Sequence, residues 1–266
     1  MDAQKYICEK CGGNHPTEEH NRLELGKLLD HNYLPSRQEI VDVIKLRDKD
    51  RESRRIAFEK YDELREIGHE LLSKEFIQAL GNYLESRIAQ YKRNDQPITV
   101  LEVGAGNGRL GYFLQQQLNS KIPSQFKYFT TDFPYEEENT FGPALSPIDN
   151  VPVEKLDYHE ALKKYDPTIV ISSWMPYEQD WTADFRATLS VQEYILIGEP
   201  ASTGHTWLTW ANPDDERERL RNLETPYQES GFEAKYLEEV SKQQIDSPSY
   251  ATTIRPVTYS FRRIPK

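Results

Sequence analysis

The chain has 266 residues, with 33 Lys and Arg against 44 Asp and Glu, a formal net charge of −11 and 37% hydrophobic residues. The length suffices to bury a substantial core, and the acidic balance excludes a protein that holds nucleic acid by bulk charge. No apolar run approaches the roughly 18 residues a bilayer span needs, and the N-terminus lacks a basic stretch followed by an apolar one. The expectation is a cytoplasmic protein without a membrane partner.

In chain order, the first feature is Cys8-Glu9-Lys10-Cys11-Gly12-Gly13-Asn14-His15, followed by His20, a C-x2-C-x3-H-x4-H spacing that uses both cysteines of the chain. Two close pairs of thiolate and imidazole ligands suit tetrahedral zinc, so Cys8, Cys11, His15 and His20 are the expected ligands of a structural Zn2+ in a module over residues 1–22. The segment resembles a zinc knuckle, whose usual form is C-x2-C-x4-H-x4-C. Such knuckles often bind single-stranded nucleic acid, but here Tyr6 is the only obvious stacking residue, so an RNA partner is possible through this module and not favoured.

Residues 23–96 read as an α-helical extension. Apolar residues recur at helical spacing through Ile40, Val43, Ile44, Tyr61, Leu64, Ile67, Leu71, Leu72, Phe76, Leu80, Leu84 and Ile88. The charged string Arg47 to Arg55 is the best break point between two helices, and the charge-balanced outer face reads as a solvated surface. The extension is expected to pack as a lid over the pocket of the following domain.

From residue 97 to 266 the period changes. Ile98 to Val103 reads as a buried strand, followed by glycines and by the helical Leu110 to Leu118. Strands at Phe126 to Thr131, Thr168 to Ser172 and Glu193 to Gly198 alternate with helices at Tyr158 to Lys164 and Thr182 to Leu189. That alternation implies a parallel sheet covered on both faces. A polar helix around Pro213 to Ser230 and two strands, Phe232 to Val240 and Val257 to Arg263, would close the domain as an antiparallel hairpin.

The strongest local signal is Glu102-Val103-Gly104-Ala105-Gly106-Asn107-Gly108. Glycines at the end of a first strand permit a tight turn and close backbone approach to a ligand, which the next helix meets with free N–H groups. The spacing is G-x-G-x-G, and Arg109 stands where a dinucleotide fingerprint wants its third glycine. With an acidic residue two before the first glycine, it resembles the first motif of the class I S-adenosylmethionine-dependent methyltransferases. The resemblance spans about residues 98–263. It implies a Rossmann-like, mostly parallel seven-stranded sheet with a C-terminal antiparallel hairpin, and S-adenosyl-L-methionine as cofactor. It also implies cofactor contacts from Glu102, Gly104, Ala105, Gly106, Asn107, Gly108, Asp132, Asp157, Ser173 and Trp174. Asp132 would hold the ribose hydroxyls and Asp157 the adenine amino group. Read on their own, Asp132 is equally a turn residue and Asp157 a helix N-cap.

The acceptor side should lie after the fourth and fifth strands, in Ser172 to Thr182 and Gly198 to Trp207. Trp174, Tyr177 and Trp181 are the expected substrate contacts, because aromatics on loops are harder to explain by core packing. Glu199, His205 and Glu178 are candidate general bases. The loop lacks the Asn-Pro-Pro-Tyr type of tetrapeptide and the paired glutamates of arginine methyltransferases. The acceptor, small molecule or protein, stays open. The alternative is a zinc-knuckle binding or scaffold protein with a non-catalytic fold of this kind.

Overall fold

The computed structural model describes residues 24–44, 51–65, 68–92, 96–133, 151–211, 224–246 and 255–265. The zinc-ligand set Cys8, Cys11, His15 and His20 lies outside the described residues, as does most of the polar helix expected after Pro213. Among the described residues, no cluster of potential metal ligands occurs, and no helix is long and apolar enough to cross a membrane.

A seven-stranded sheet organises the molecule. Its strands are β1 (Ile98–Val103), β2 (Phe126–Asp132), β3 (Glu154–Lys155), β4 (Ile169–Ser173), β5 (Glu193–Gly198), β6 (Phe232–Tyr236) and β7 (Val257–Arg263), in the order β3-β2-β1-β4-β5-β7-β6. The first five are parallel, and β7 runs antiparallel between β5 and β6. This is the Rossmann-like class I methyltransferase fold. The strand order reverses between β1 and β4, so their carboxyl ends open the crevice where ligands bind in such sheets.

Helices cover both faces: α1 (Arg37–Ile44), α2 (Arg51–Arg65), α3 (Lys74–Tyr91), α4 (Arg109–Lys121), α5 (Tyr158–Tyr165), α6 (Thr182–Ala187), α7 (Thr206–Trp210), α8 (Pro226–Glu229) and α9 (Glu238–Ser241). The alternating strand pattern divides β1 between two cores. Val100 packs with Leu80, Leu84 and Ile88 of α3 and Leu114 and Leu118 of α4, whereas Leu101 and Val103 join Leu162, Phe185 and Tyr194 on the other side. Helix α3, which the sequence groups with the extension, is thus integral to the main core.

Two boundaries differ from the sequence expectation. The helical pattern through Tyr61 and Phe76 is interrupted: α2 ends at Arg65, and residues 68–73 form a loop before α3. Ser73 supplies the reason, since its hydroxyl accepts the Phe76 amide at 3.1 Å and starts a new helix. At the C-terminal end, the expected strand Phe232 to Val240 stops at Tyr236. Leu237 and Val240 are buried while Glu238 and Glu239 are exposed, and that three-residue spacing folds as the helical turn α9.

A buried polar network ties α3 to the opposite end of the sheet from the crevice. Glu193, at the start of β5, receives Arg87 Nε at 2.6 Å, the Tyr91 hydroxyl at 3.0 Å, Ser260 Oγ at 2.6 Å and the Tyr83 hydroxyl. Every bond serves the carboxylate of a fully buried residue, which makes this a structural ion pair.

Candidate active site

The loop after β1 turns on three glycines in the left-handed region: Gly104 at φ 65°, Gly106 at φ 57° and Gly108 at φ 80°. Non-glycine residues rarely adopt this conformation. Space enforces the same choice, because a Cβ on Gly104 would stand 2.9 Å from the Trp181 ring and one on Gly108 would stand 2.6 Å from Val151 and Val153. The Ala105 amide donates to Thr131 O at 3.0 Å, which ties the loop to the neighbouring strand, and Asn107 Oδ1 accepts the Arg109 amide at 3.2 Å where α4 begins.

Asp132 closes β2 beside this loop. Burial pushes its pKa up, against the Gly106 and Phe133 amides that donate to its carboxylate. A carboxylate offers about four lone-pair positions, so acceptor capacity remains for a pair of hydroxyls. Gly104, Asp132, Phe133, Leu156, Asp157, Tyr158 and Trp181 line one cleft at this edge. Asp157 is also the N-cap of α5, its Oδ1 accepting the His159 amide at 2.9 Å. Asp157 therefore caps a helix and lines the cleft.

Glu102 is 1% exposed and faces α4. Its Oε2 accepts the Tyr128 hydroxyl at 2.8 Å, and the Gly111 amide also donates to its carboxyl group. Burial dominates and pushes its pKa up to about 8. It fixes β1 to β2 and to the first turn of α4 behind the glycine loop.

The aromatic residues divide differently from the sequence expectation. Trp181, expected against the acceptor, is 6% exposed, lies against Gly104 and stacks on Tyr158 with ring centroids 5.0 Å apart, which puts it in the Asp132 cleft. Trp174 and Ser173, expected against the cofactor, are not among the residues lining the Asp132 cleft. Trp174 follows β4 with φ 56° and sends its indole N–H to Glu70 Oε2 at 2.9 Å. Tyr177 is 50% exposed beside Glu178, which has φ 64°. The β4 and β5 loops are joined by two backbone bonds, Glu178 N–H to Gly204 O at 3.0 Å and Gly204 N–H to Met175 O at 2.9 Å.

The three candidate bases fare unequally. His205 caps α7: its Nδ1 accepts the amides of Trp207 and Leu208 at 3.3 and 3.2 Å. That engages Nδ1 as a helix cap. Glu199 accepts the Ser202 hydroxyl within its own turn, and Glu178 is exposed on the loop.

Residues that sequence reading missed come from the extension. Arg109 Nη2 donates to Tyr33 O at 2.6 Å and its Nε to His31 O at 3.2 Å, bringing residues 31–33 beside the glycine loop. Residues 68–73 bring His69 and Glu70 to the end of β4. Glu70 is 6% exposed, and burial pushes its pKa up to about 7. Arg65 stacks over the Trp174 ring at 5.2 Å and donates to His69 Nδ1 at 3.1 Å. Burial and the Arg65 charge together hold the His69 pKa down, at about 4. Gly68 and Ser73 are the signals that could have located this loop.

No protein-family model and no curated protein matches the chain. Among solved structures it is similar to the CurJ carbon methyltransferase, at 12% identity over 93% of this chain and 69% of that one, with a TM-score of 0.42. It is also similar to the DszA carbon methyltransferase, at 15% identity over 92% and 69%, TM-score 0.39. A third is the magnesium protoporphyrin IX methyltransferase ChlM from Synechocystis PCC 6803 with bound SAM, at 12% identity over 71% and 80%, TM-score 0.38. Likeness at this level says nothing about the reaction, which has to be read from the site.

Proposed function

We propose that the protein is an S-adenosyl-L-methionine-dependent methyltransferase. One observation supports this reading above the others: Gly104, the first of three left-handed glycines, and Asp132 line one cleft at the carboxyl ends of the parallel strands, beside the strand-order reversal. The parts fit the cofactor. The glycine loop adopts left-handed backbone that side chains rarely allow, Asp132 would accept the ribose hydroxyls, and Leu156, Tyr158 and Trp181 would offer apolar and aromatic surface to a purine, with Asp157 beside them. The bound cofactor would supply an electrophilic methyl group on a sulfonium. The chain's own task is then to place an acceptor nucleophile in line and to manage its proton.

The acceptor would enter over the ends of β4 and β5, where Trp174, Tyr177, Glu178 and Glu199 lie and where the extension reaches the body through Glu70 and Arg109. A small molecule or a protein side chain is favoured as acceptor. In this reading the extension acts as a lid, and the Cys8, Cys11, His15 and His20 segment holds a structural zinc, which rests on ligand type and spacing alone.

Purified protein should show a thermal shift with S-adenosylhomocysteine, and Gly106→Val should remove it while leaving the unliganded protein folded. A shift of equal size in that variant would contradict binding at the glycine loop. No shift in either protein would favour the scaffold alternative.

A further inference from the structure

Three segments distant in sequence meet on Glu70. Trp174 Nε1 donates to its Oε2 at 2.9 Å, and Gln244 Nε2 donates to the same oxygen at 3.1 Å. Gln244 is itself fixed by Thr258, whose hydroxyl donates to Gln244 Oε1 at 2.9 Å. Thr258 pairs with Ile197 at the carboxyl end of β5, and Ile197 O accepts the Trp174 amide at 2.7 Å. The Glu70 carboxylate is thereby held at the carboxyl edge of β4 and β5. Val103 pairs with Ser172, so in the neighbouring strand Trp174 is level with the glycine loop.

The other buried carboxylates have structural partners away from the crevice. Glu193 is ringed by four donors at the far end of the sheet, and Glu102 faces α4. Glu70 differs. Both donors address Oε2, Oε1 takes no hydrogen bond from the described residues, and no ion pair forms with a described residue. A carboxylate whose second oxygen accepts nothing from the described residues keeps acceptor capacity for a further donor. The residue that holds it, Trp174, has a positive φ that a bulky side chain adopts only under constraint.

Resting on the methyltransferase reading above, we propose that Glu70 is a catalytic residue that receives the proton of the methyl acceptor, and that the acceptor is an O–H or N–H nucleophile. The acceptor's lone pair forms the new bond to the methyl carbon as the carbon–sulfur bond breaks and its electron pair returns to sulfur. The acceptor's proton passes to Glu70 Oε1. The Trp174 and Gln244 donors fix the carboxylate without consuming that oxygen. A pKa near neutrality, raised by burial, suits a group that takes and releases a proton each turnover. Among the described residues, Arg65 is the charged group that acts on Glu70, and His69 is its neighbour in sequence. Trp174 and Gln244, from the β4 loop and from behind α9, do not titrate in this range.

The test needs no acceptor. Sinefungin carries an amine-bearing carbon in place of the methylsulfonium and presents an ammonium where the transferred methyl would lie, whereas S-adenosylhomocysteine presents nothing there. Calorimetry on the full chain at pH 8 should give sinefungin at least ~10-fold tighter binding than S-adenosylhomocysteine, as for a hydrogen bond between charged groups. Glu70→Gln should erase that preference and leave S-adenosylhomocysteine affinity within about threefold. Should that variant fail to fold, the wild type alone decides: the preference should shrink about tenfold between pH 8 and pH 5.5 as Glu70 protonates, with His69 neutral throughout. A preference that survives Glu70→Gln or is flat with pH, or a variant that weakens both ligands alike, would overturn the proposal. Failure of the wild type to bind either ligand would identify the cofactor reading as the step that failed, and this proposal would fall with it.

Discussion

Arg109, the first residue of α4, donates its guanidinium to the Tyr33 carbonyl at 2.6 Å and to the His31 carbonyl at 3.2 Å. One side chain thus links the helix that follows the glycine loop to the N-terminal extension. Burial draws its pKa down to about 10, so it stays charged at neutral pH. Arg109→Met keeps much of the aliphatic stem and leaves two carbonyls without their donor, at about 1–3 kcal/mol. The expected result is faster proteolysis and hydrogen exchange in residues 24–44, with β1 to β5 unchanged. Exchange that rises uniformly across the sheet would contradict a local link.

Gly108 has φ 80°, and a Cβ there would meet Val151 and Val153 at 2.6 Å. Gly108→Ala combines backbone strain with a clash on the segment leading to β3. It should destabilise the fold by about 1–3 kcal/mol, whereas Gly26→Ala, with open space around it, should change stability by less than about 0.5 kcal/mol. Denaturant unfolding of the two variants checks the contrast.

Glu102 gives a pH signature with a definite sign. Its folded pKa of about 8 lies above the usual 4.5, so the folded state binds the proton more tightly than the unfolded chain. Stability from this group is therefore lost as pH rises from about 4.5 to about 8. Glu70, raised to about 7, adds a loss of the same sign over a narrower window. Glu102→Gln should flatten the decline, narrowing the Tm difference between pH 5 and pH 8.5 by more than about 5 °C. An unchanged slope would show that Glu102 is ionised in the folded protein.

The Cys8, Cys11, His15 and His20 spacing calls for about one equivalent of tightly bound zinc. Elemental analysis after dialysis should find it, and Cys8→Ser with Cys11→Ser should remove it. Retention of zinc in that double variant would place the metal elsewhere.

Period and punctuation made the sheet legible in the sequence. Strand Ile98 to Val103, the glycines after it and the alternation that follows reflect local rules, and their ends fall within a residue or two of the structure. The cleft residues Gly104, Asp132 and Asp157 were legible for the same reason, since strand ends and loop glycines carry their own signals. What was not legible depends on long-range contacts. Glu70 lies 104 residues before Trp174 and 174 before Gln244, and its neighbours Leu71 and Leu72 continue a helical pattern that masked the loop. That Trp181 packs beside Gly104 and Tyr158 was not legible, because sequence shows that a loop aromatic exists and not which way the loop turns. The helix-capping role of His205 becomes visible only when Nδ1 is seen to accept the Trp207 and Leu208 amides.

The cofactor assignment is the claim on which the rest depends, and isothermal titration with S-adenosylhomocysteine on the wild type and on Asp132→Ala tests it most directly. Micromolar binding by the wild type, weakened at least ~10-fold in Asp132→Ala by loss of hydrogen bonds to a charged acceptor, is the expected result. Absence of binding in the wild type, or equal affinity in the two proteins, would contradict it.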